Sequence, residues 1–174
     1  MVTPGNLLSE SREHRVQLSN KPDMIHCRRA TIKDLRYLIQ GNRSIANETE
    51  DIELSEAKLG PGITAILEDG NKGIYWVATL EDQIIGQILV TYEWSDWRNG
   101  QIWWIQSVYV WPDARRKGVF KALLDQVTTE ARDNSVVELR LYADATNQKA
   151  HSTYLSQGFT TGHYQVFEKP LQRN

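Results

Sequence analysis

The chain has 174 residues, 40% of them apolar and 24% charged, a composition suited to one α/β-sized domain with a sizeable core. A formal net charge of -2 excludes a global basic field, so neither nucleic acid nor an acidic membrane is expected as a partner and any cationic site must be local. The single cysteine, Cys27, excludes an internal disulfide framework, and no apolar run approaches the roughly 20 residues that cross a bilayer, so a soluble, cytoplasmic protein is expected.

Residues 1–23 are polar without sustained periodicity and are expected to form a flexible extension, with the compact domain over 24–174. "MIHCRRA" predicts a first strand. Thr31 and Asp34 then stand at capping-box spacing before a helix whose Ile32, Leu35, Leu38 and Ile39 share one face. "LSEAKLGPGITAILED" predicts a second helical region, broken around Gly60, Pro61 and Gly62. Two strands, "GIYWVATL" and "QIIGQILVTYEW", are joined by a Glu81-Asp82 turn, and a polar loop leads to the strand "QIWWIQSVYV". A helix follows with Phe120, Leu124, Val127 and Ala131 on one stripe, then the strand "VVELRLYA". The next helix has Asn147 as its N-cap and Gly158 as its stop, and "YQVFEKPL" reads as a last strand. This order predicts an α/β fold, a mixed sheet flanked by helices.

The chemistry concentrates where "VYVWPDARRKGVF" passes from strand to helix. First-turn amides of a helix have no helical partner and the macrodipole is positive there, which favours an anion. Gly118 lets backbone approach a bulky ligand, and Arg115, Arg116 and Lys117 add cations suited to phosphate. A solvated basic turn would carry the same charges. On the later helix Asn147, Ala150 and Tyr154 share a face about 10 Å long, which could line a channel or simply cap and pack the helix.

Together these segments resemble the GNAT superfamily of N-acetyltransferases, from about Met24 to the chain's end. Arg115 and Gly118 match the first two positions of its Gln/Arg-x-x-Gly-x-Gly/Ala signature, and Phe120 departs at the third. Asn147, Tyr154, Gly158 and Phe159 match the second signature. The resemblance implies a GNAT-like fold, acetyl-CoA as cosubstrate and a primary amine, small molecule or peptide, as acceptor. By position it implies that Val108, Tyr109 and Val110 line the pantetheine arm through their main chain. The amides of Arg116, Lys117, Gly118, Val119, Phe120 and Lys121 would cradle the pyrophosphate, Asn147 would contact the arm, and Tyr154 would protonate the departing thiolate. The oxyanion would meet the Val108 amide.

A thiol of pKa about 8.5 is a tolerable leaving group, so the acid adds about 10²–10⁴-fold and approximation of the reactants supplies most of the acceleration. An ammonium of pKa about 10.4 costs about 4–5 kcal/mol to deprotonate at pH 7. Candidate bases and acceptor contacts are Glu93, beside Trp94, and Glu48 or Glu50 in "NETED", with a water relay as the alternative. The tryptophans of "YEWSDWRNGQIWW" are expected in the core and in one wall of the acceptor pocket. His14, His26, His151 and His163 show no metal-ligand spacing, so no metal is expected. Phe120 fits a second reading, an acyl-CoA-sensing module of the same fold without efficient catalysis. If its ring turns to the sheet, its amide stays available; if it fills the loop, the phosphate site is blocked. The acceptor's identity and the oligomeric state, a homodimer included, stay open.

Overall fold

The computed structural model describes residues 24–171. The flexible extension expected over 1–23 lies outside the described residues. After β1 (His26–Arg29) and a 3-10 turn (Ile32–Asp34) come the helices α1 (Leu35–Glu50) and α2 (Glu56–Glu68). The strands β2 (Ile74–Leu80), β3 (Gln83–Ser95) and β4 (Gly100–Val110) follow, then α3 (Val119–Asp133), β5 (Glu138–Leu141) and α4 (Gln148–Ser156).

The five strands lie side by side in chain order, antiparallel from β1 to β4, with β5 parallel to β4. Short turns explain the antiparallel part. Glu81 and Asp82, at φ 48° and 64°, form a two-residue hairpin turn that matches the twist of its strands. The parallel pair needs a helical crossover, which α3 provides.

Side-chain alternation divides the core between the two faces of the sheet. Tyr75, Val77 and Leu89 meet Leu38 of α1 and Ile63 of α2 on one face. Trp76, Ile88, Val90 and Ile105 meet Leu123 and Val127 of α3 on the other. Asp34 ties the start of the helical layer to β1. It accepts from the Thr31 amide at 2.8 Å and takes both terminal nitrogens of Arg28, at 2.7 and 2.9 Å. The expected capping box is present.

Three expectations change. Helix α2 runs unbroken through Gly60, Pro61 and Gly62, because Ile63 is buried and Leu59, Ile66 and Leu67 pack beside it; tertiary burial outweighs the local breakers. "YQVFEKPL" joins no ladder among the described residues: Tyr164, Val166, Phe167 and Leu171 are exposed, and the sheet formed by the described residues has five strands. Strand propensity describes a residue's fit to a pleated surface and does not specify a partner. Finally, the tryptophans divide. Trp103 is buried in the core, Trp104 is half-buried, and Trp94 and Trp97 are exposed.

Candidate active site

Two irregularities of β4 build the site. Opposite Leu89 and Val90 the register skips Gln106, so β4 carries an extra residue there, a bulge that bends and twists the strand. Pairing with β5 covers only Ile102–Ile105, matched to Glu138–Leu141. Past the bulge β4 continues without a neighbour on that side, and the two parallel strands splay.

Backbone polarity in the splay follows from the ladder. Trp111 N donates to Ile85 O at 3.1 Å, continuing the β3–β4 register. Hydrogen-bonded pairs alternate along an antiparallel ladder, so Tyr109 bonds to β3 while Val108 and Val110 turn their N–H and C=O to the open side. Tyr142 Oη donates to Gln106 Oε1 across the crotch of the splay at 3.1 Å, and Gln106 Nε2 donates to Thr91 Oγ1 at 2.7 Å. Sequence reasoning missed Gln106 and Tyr142, since a bulge is not visible in a run of strand-forming residues.

The loop from β4 to α3 is shaped for close approach. Arg116 and Gly118 both adopt left-handed backbone, at φ 64° and 83°. A Cβ on Gly118 would meet no protein atom within 4 Å, so the space above it is open to a ligand. The first internal bond of α3 runs from Ala122 N to Gly118 O, and the amides of Val119, Phe120 and Lys121 precede it without helical partners. Arg116 and Lys117 are exposed, whereas Lys121 pairs with Asp125 at 2.6 Å.

Arg115 turns the other way. Its Nε donates to Val110 O at 2.9 Å and its Nη2 reaches Glu48 Oε2 at 2.6 Å, with the guanidinium 5.5 Å from the Tyr109 ring centre. Tyr109 Oη donates to Glu48 Oε1 at 2.9 Å. Burial, seconded by Glu48, raises the Tyr109 phenol above its ordinary range. Trp111 packs edge-on against Tyr109 at 5.2 Å. Glu50, at the end of α1, is exposed.

Tyr154 is half-buried on α4, its ring edge-on to Phe120 at 5.8 Å and to Phe159 at 6.0 Å. Burial raises its phenol above the ordinary range. The buried face of α3 is Val119, Leu123, Leu124, Val127 and Ala131, and Phe120 flanks it, half-buried against the core and Tyr154. Asn147 caps α4, its Oδ1 accepting from Ala150 N at 3.0 Å.

Glu93 is paired with Ile102 across the ladder, and its oxygens take Trp104 Nε1 at 2.5 Å and Arg140 Nη1 at 3.3 Å; the Trp104 ring in turn lies 6.3 Å from that of Tyr142. Exposed Trp94 neighbours it in sequence. Two open cavities of about 550 and 540 Å³ lie against α1 and against the β2–β3 turn; neither includes Tyr154 in its wall.

The model of the Acetyltransferase (GNAT) family matches residues 37–159. Among solved structures, one described as a possible acetyltransferase from Clostridium difficile 630 is 40% identical. It aligns over 86% of this chain and 99% of its own, with a TM-score of 0.80. An aminoglycoside acetyltransferase from an uncultured soil metagenomic sample, solved with trehalose, is 19% identical over 86% of this chain and 97% of its own (TM-score 0.69). A ribosomal-protein-alanine N-acetyltransferase from Brucella melitensis biovar Abortus 2308 is 16% identical over 85% and 100%, at 0.67. These two show the fold alone. A search of curated proteins returned no match. With the mixed sheet, the splayed β4 and a family model spanning most of the chain in agreement, this protein belongs to the GNAT acetyltransferase family, has its acyltransferase fold, and is implied by that membership to transfer acyl groups.

Proposed function

We propose that the protein is an acetyl-CoA-dependent N-acetyltransferase whose acceptor is a primary amine, carried by a small molecule or a peptide. The observation that carries this reading is the continuity of the splay with the anion-ready loop. The open-side backbone groups of Val108 and Val110 lead directly to Gly118 and the first turn of α3. Val108 and Val110 suit the amides of a pantetheine arm. The amides from Arg116 to Lys121, with the Arg116 and Lys117 side chains, suit a pyrophosphate. Acetyl-CoA supplies an activated thioester; everything else is done by this chain.

Tyr154 is the acid. A neutral phenol can donate to a developing thiolate, and the rings of Phe120 and Phe159 pack against it. The Val108 N–H, turned to the open side, is placed to meet an oxyanion. Attack is direct, within a ternary complex. Cys27 lies on β1, half-buried, with its thiol raised by burial and then by the charge of Asp125, which makes a poor acyl carrier. Glu93, held by Trp104 and Arg140, is not assigned the amine's proton. Glu48 belongs to the acceptor side and Gln106 and Tyr142 to the crotch, where the reacting groups would meet.

Phe120 packs on Tyr154, which supports catalysis over sensing. Titration calorimetry with acetyl-CoA, followed by thiol release across a panel of amines, tests the reading. Binding with release is expected. Tight binding with no release from any amine would favour a sensor, and no binding would overturn both.

A further inference from the structure

We propose that Arg115 and Glu48 form an exchangeable ion pair that orders binding: Arg115 passes from Glu48 to the pyrophosphate when acetyl-CoA enters, leaving Glu48 as a free carboxylate for a cationic amine. This rests on the acetyl-CoA reading of the splay and loop.

Of the three consecutive loop cations, Arg115 is the one with an ion pair among the described residues. The pair joins two elements 67 residues apart, the strand-to-helix loop and the last turn of α1, which covers the sheet face opposite α3. It is the direct physical link between the expected phosphate site and an acidic residue of the acceptor side.

Both side chains remain part-exposed, at 39% for Arg115 and 41% for Glu48, so exchange occurs in contact with solvent. A pair of that exposure is worth at most about five-fold in an equilibrium constant. A guanidinium on phosphate makes parallel charge-assisted bonds, reinforced here by the N-terminus of α3, and is the stronger contact. Arg115 is also drawn from its other end. Its Nε occupies the carbonyl of Val110, an open-side group that the arm's amides would take.

Glu48 is not stranded when Arg115 leaves. Tyr109 Oη still donates to Oε1, while Oε2 loses its cation. A hydrogen-bonded but uncompensated carboxylate attracts an ammonium, so amine binds better after acetyl-CoA. By linkage, a cationic amine tightens acetyl-CoA by the same factor.

The test needs no known acceptor. CoA itself is titrated calorimetrically into the wild type, Glu48→Gln, Glu48→Ala, Arg115→Gln and the double variant Glu48→Gln/Arg115→Gln. Removing the competitor should tighten CoA about two- to five-fold in both Glu48 variants, the range of an exposed ion pair. Arg115→Gln should weaken CoA about ten-fold, and Glu48→Gln should then have no further effect. Unchanged or weaker binding in both Glu48 variants would overturn the exchange. So would an equal gain without Arg115, because that is the signature of general charge repulsion. A wild type that binds no CoA would overturn the acetyl-CoA reading and this proposal together, whereas CoA binding indifferent to Glu48 would overturn the exchange alone.

Discussion

At the scale of single residues, burial decides what Tyr154 can do. Phe120 and Phe159 press on its ring, and desolvation disfavours the phenolate. Replacing it with Phe keeps the packing and removes the proton. Tyr154→Phe should lower turnover about 10²-fold or more while CoA affinity stays within error, measured by steady-state kinetics beside calorimetry. Phe120, the one departure from the family signature, becomes intelligible here: its ring lies beside Tyr154, the proposed acid, and its amide remains in the first turn of α3. Asp34 shows the same economy in a structural role. One buried carboxylate caps the Thr31 amide and holds Arg28 through both nitrogens. Asp34→Asn loses the charge at a site that still needs an acceptor, and should cost about 1–3 kcal/mol in urea unfolding.

Among elements, the start of α3 is where packing meets ligand. Gly86 of β3 lies under it: a Cβ there would stand 2.7 Å from Val119 Cγ1 and 3.2 Å from Leu123 Cδ1. Gly86→Ala forces the Val119 side chain, in the first turn of α3, to shift or change rotamer. It should lower stability by about 1–3 kcal/mol and weaken CoA in parallel, seen by thermal melts and calorimetry on one sample. Gly118→Ala separates the two effects. Nothing blocks its Cβ, but the residue sits at φ 83°, so about 1–2 kcal/mol of backbone strain is expected without a shift of the helix. Elements with local determinants were legible from sequence. The Thr31–Asp34 box, the Asn147 cap and the Gly158 stop each depend on contacts within a few residues. The continuity of α2 was not, because Ile63 and its neighbours pack with Leu38 of α1 and with Tyr75, Val77 and Leu89 of the sheet, all outside the helix's own segment.

Across the whole molecule, ionisation limits stability from both sides. Arg28, foremost by its hydrogen bonds, holds the Asp34 carboxyl below its ordinary range. Its contribution is present above the unfolded pKa of about 3.9 and is lost as pH falls through the lower folded value. Tyr75, Tyr92 and Tyr154 have phenols raised by burial. Their contribution is present below about pH 10 and is lost as pH rises through the folded values. Melting temperature against pH should therefore fall in acid below about pH 4 and in alkali above about pH 10. Tyr75→Phe should soften the alkaline fall, although the loss of the 3.2 Å bond from Asn42 lowers the plateau.

By itself the sequence determined the element order from β1 to α4, the helix caps, the glycine at the loop and the two signatures that mark the family, because these depend on residue type and short spacing. The tertiary structure decided the rest. It placed the bulge at Gln106, which along with the short β4–β5 pairing leaves Val108 and Val110 without a strand partner on one side. It bound Glu93 to Trp104 and Arg140, and it joined Arg115 to Glu48 across 67 residues. It left "YQVFEKPL" without a ladder. The physical reason is common to all four: register, splay and long-range ion pairs are relations between segments, and no window on a single segment contains the partner.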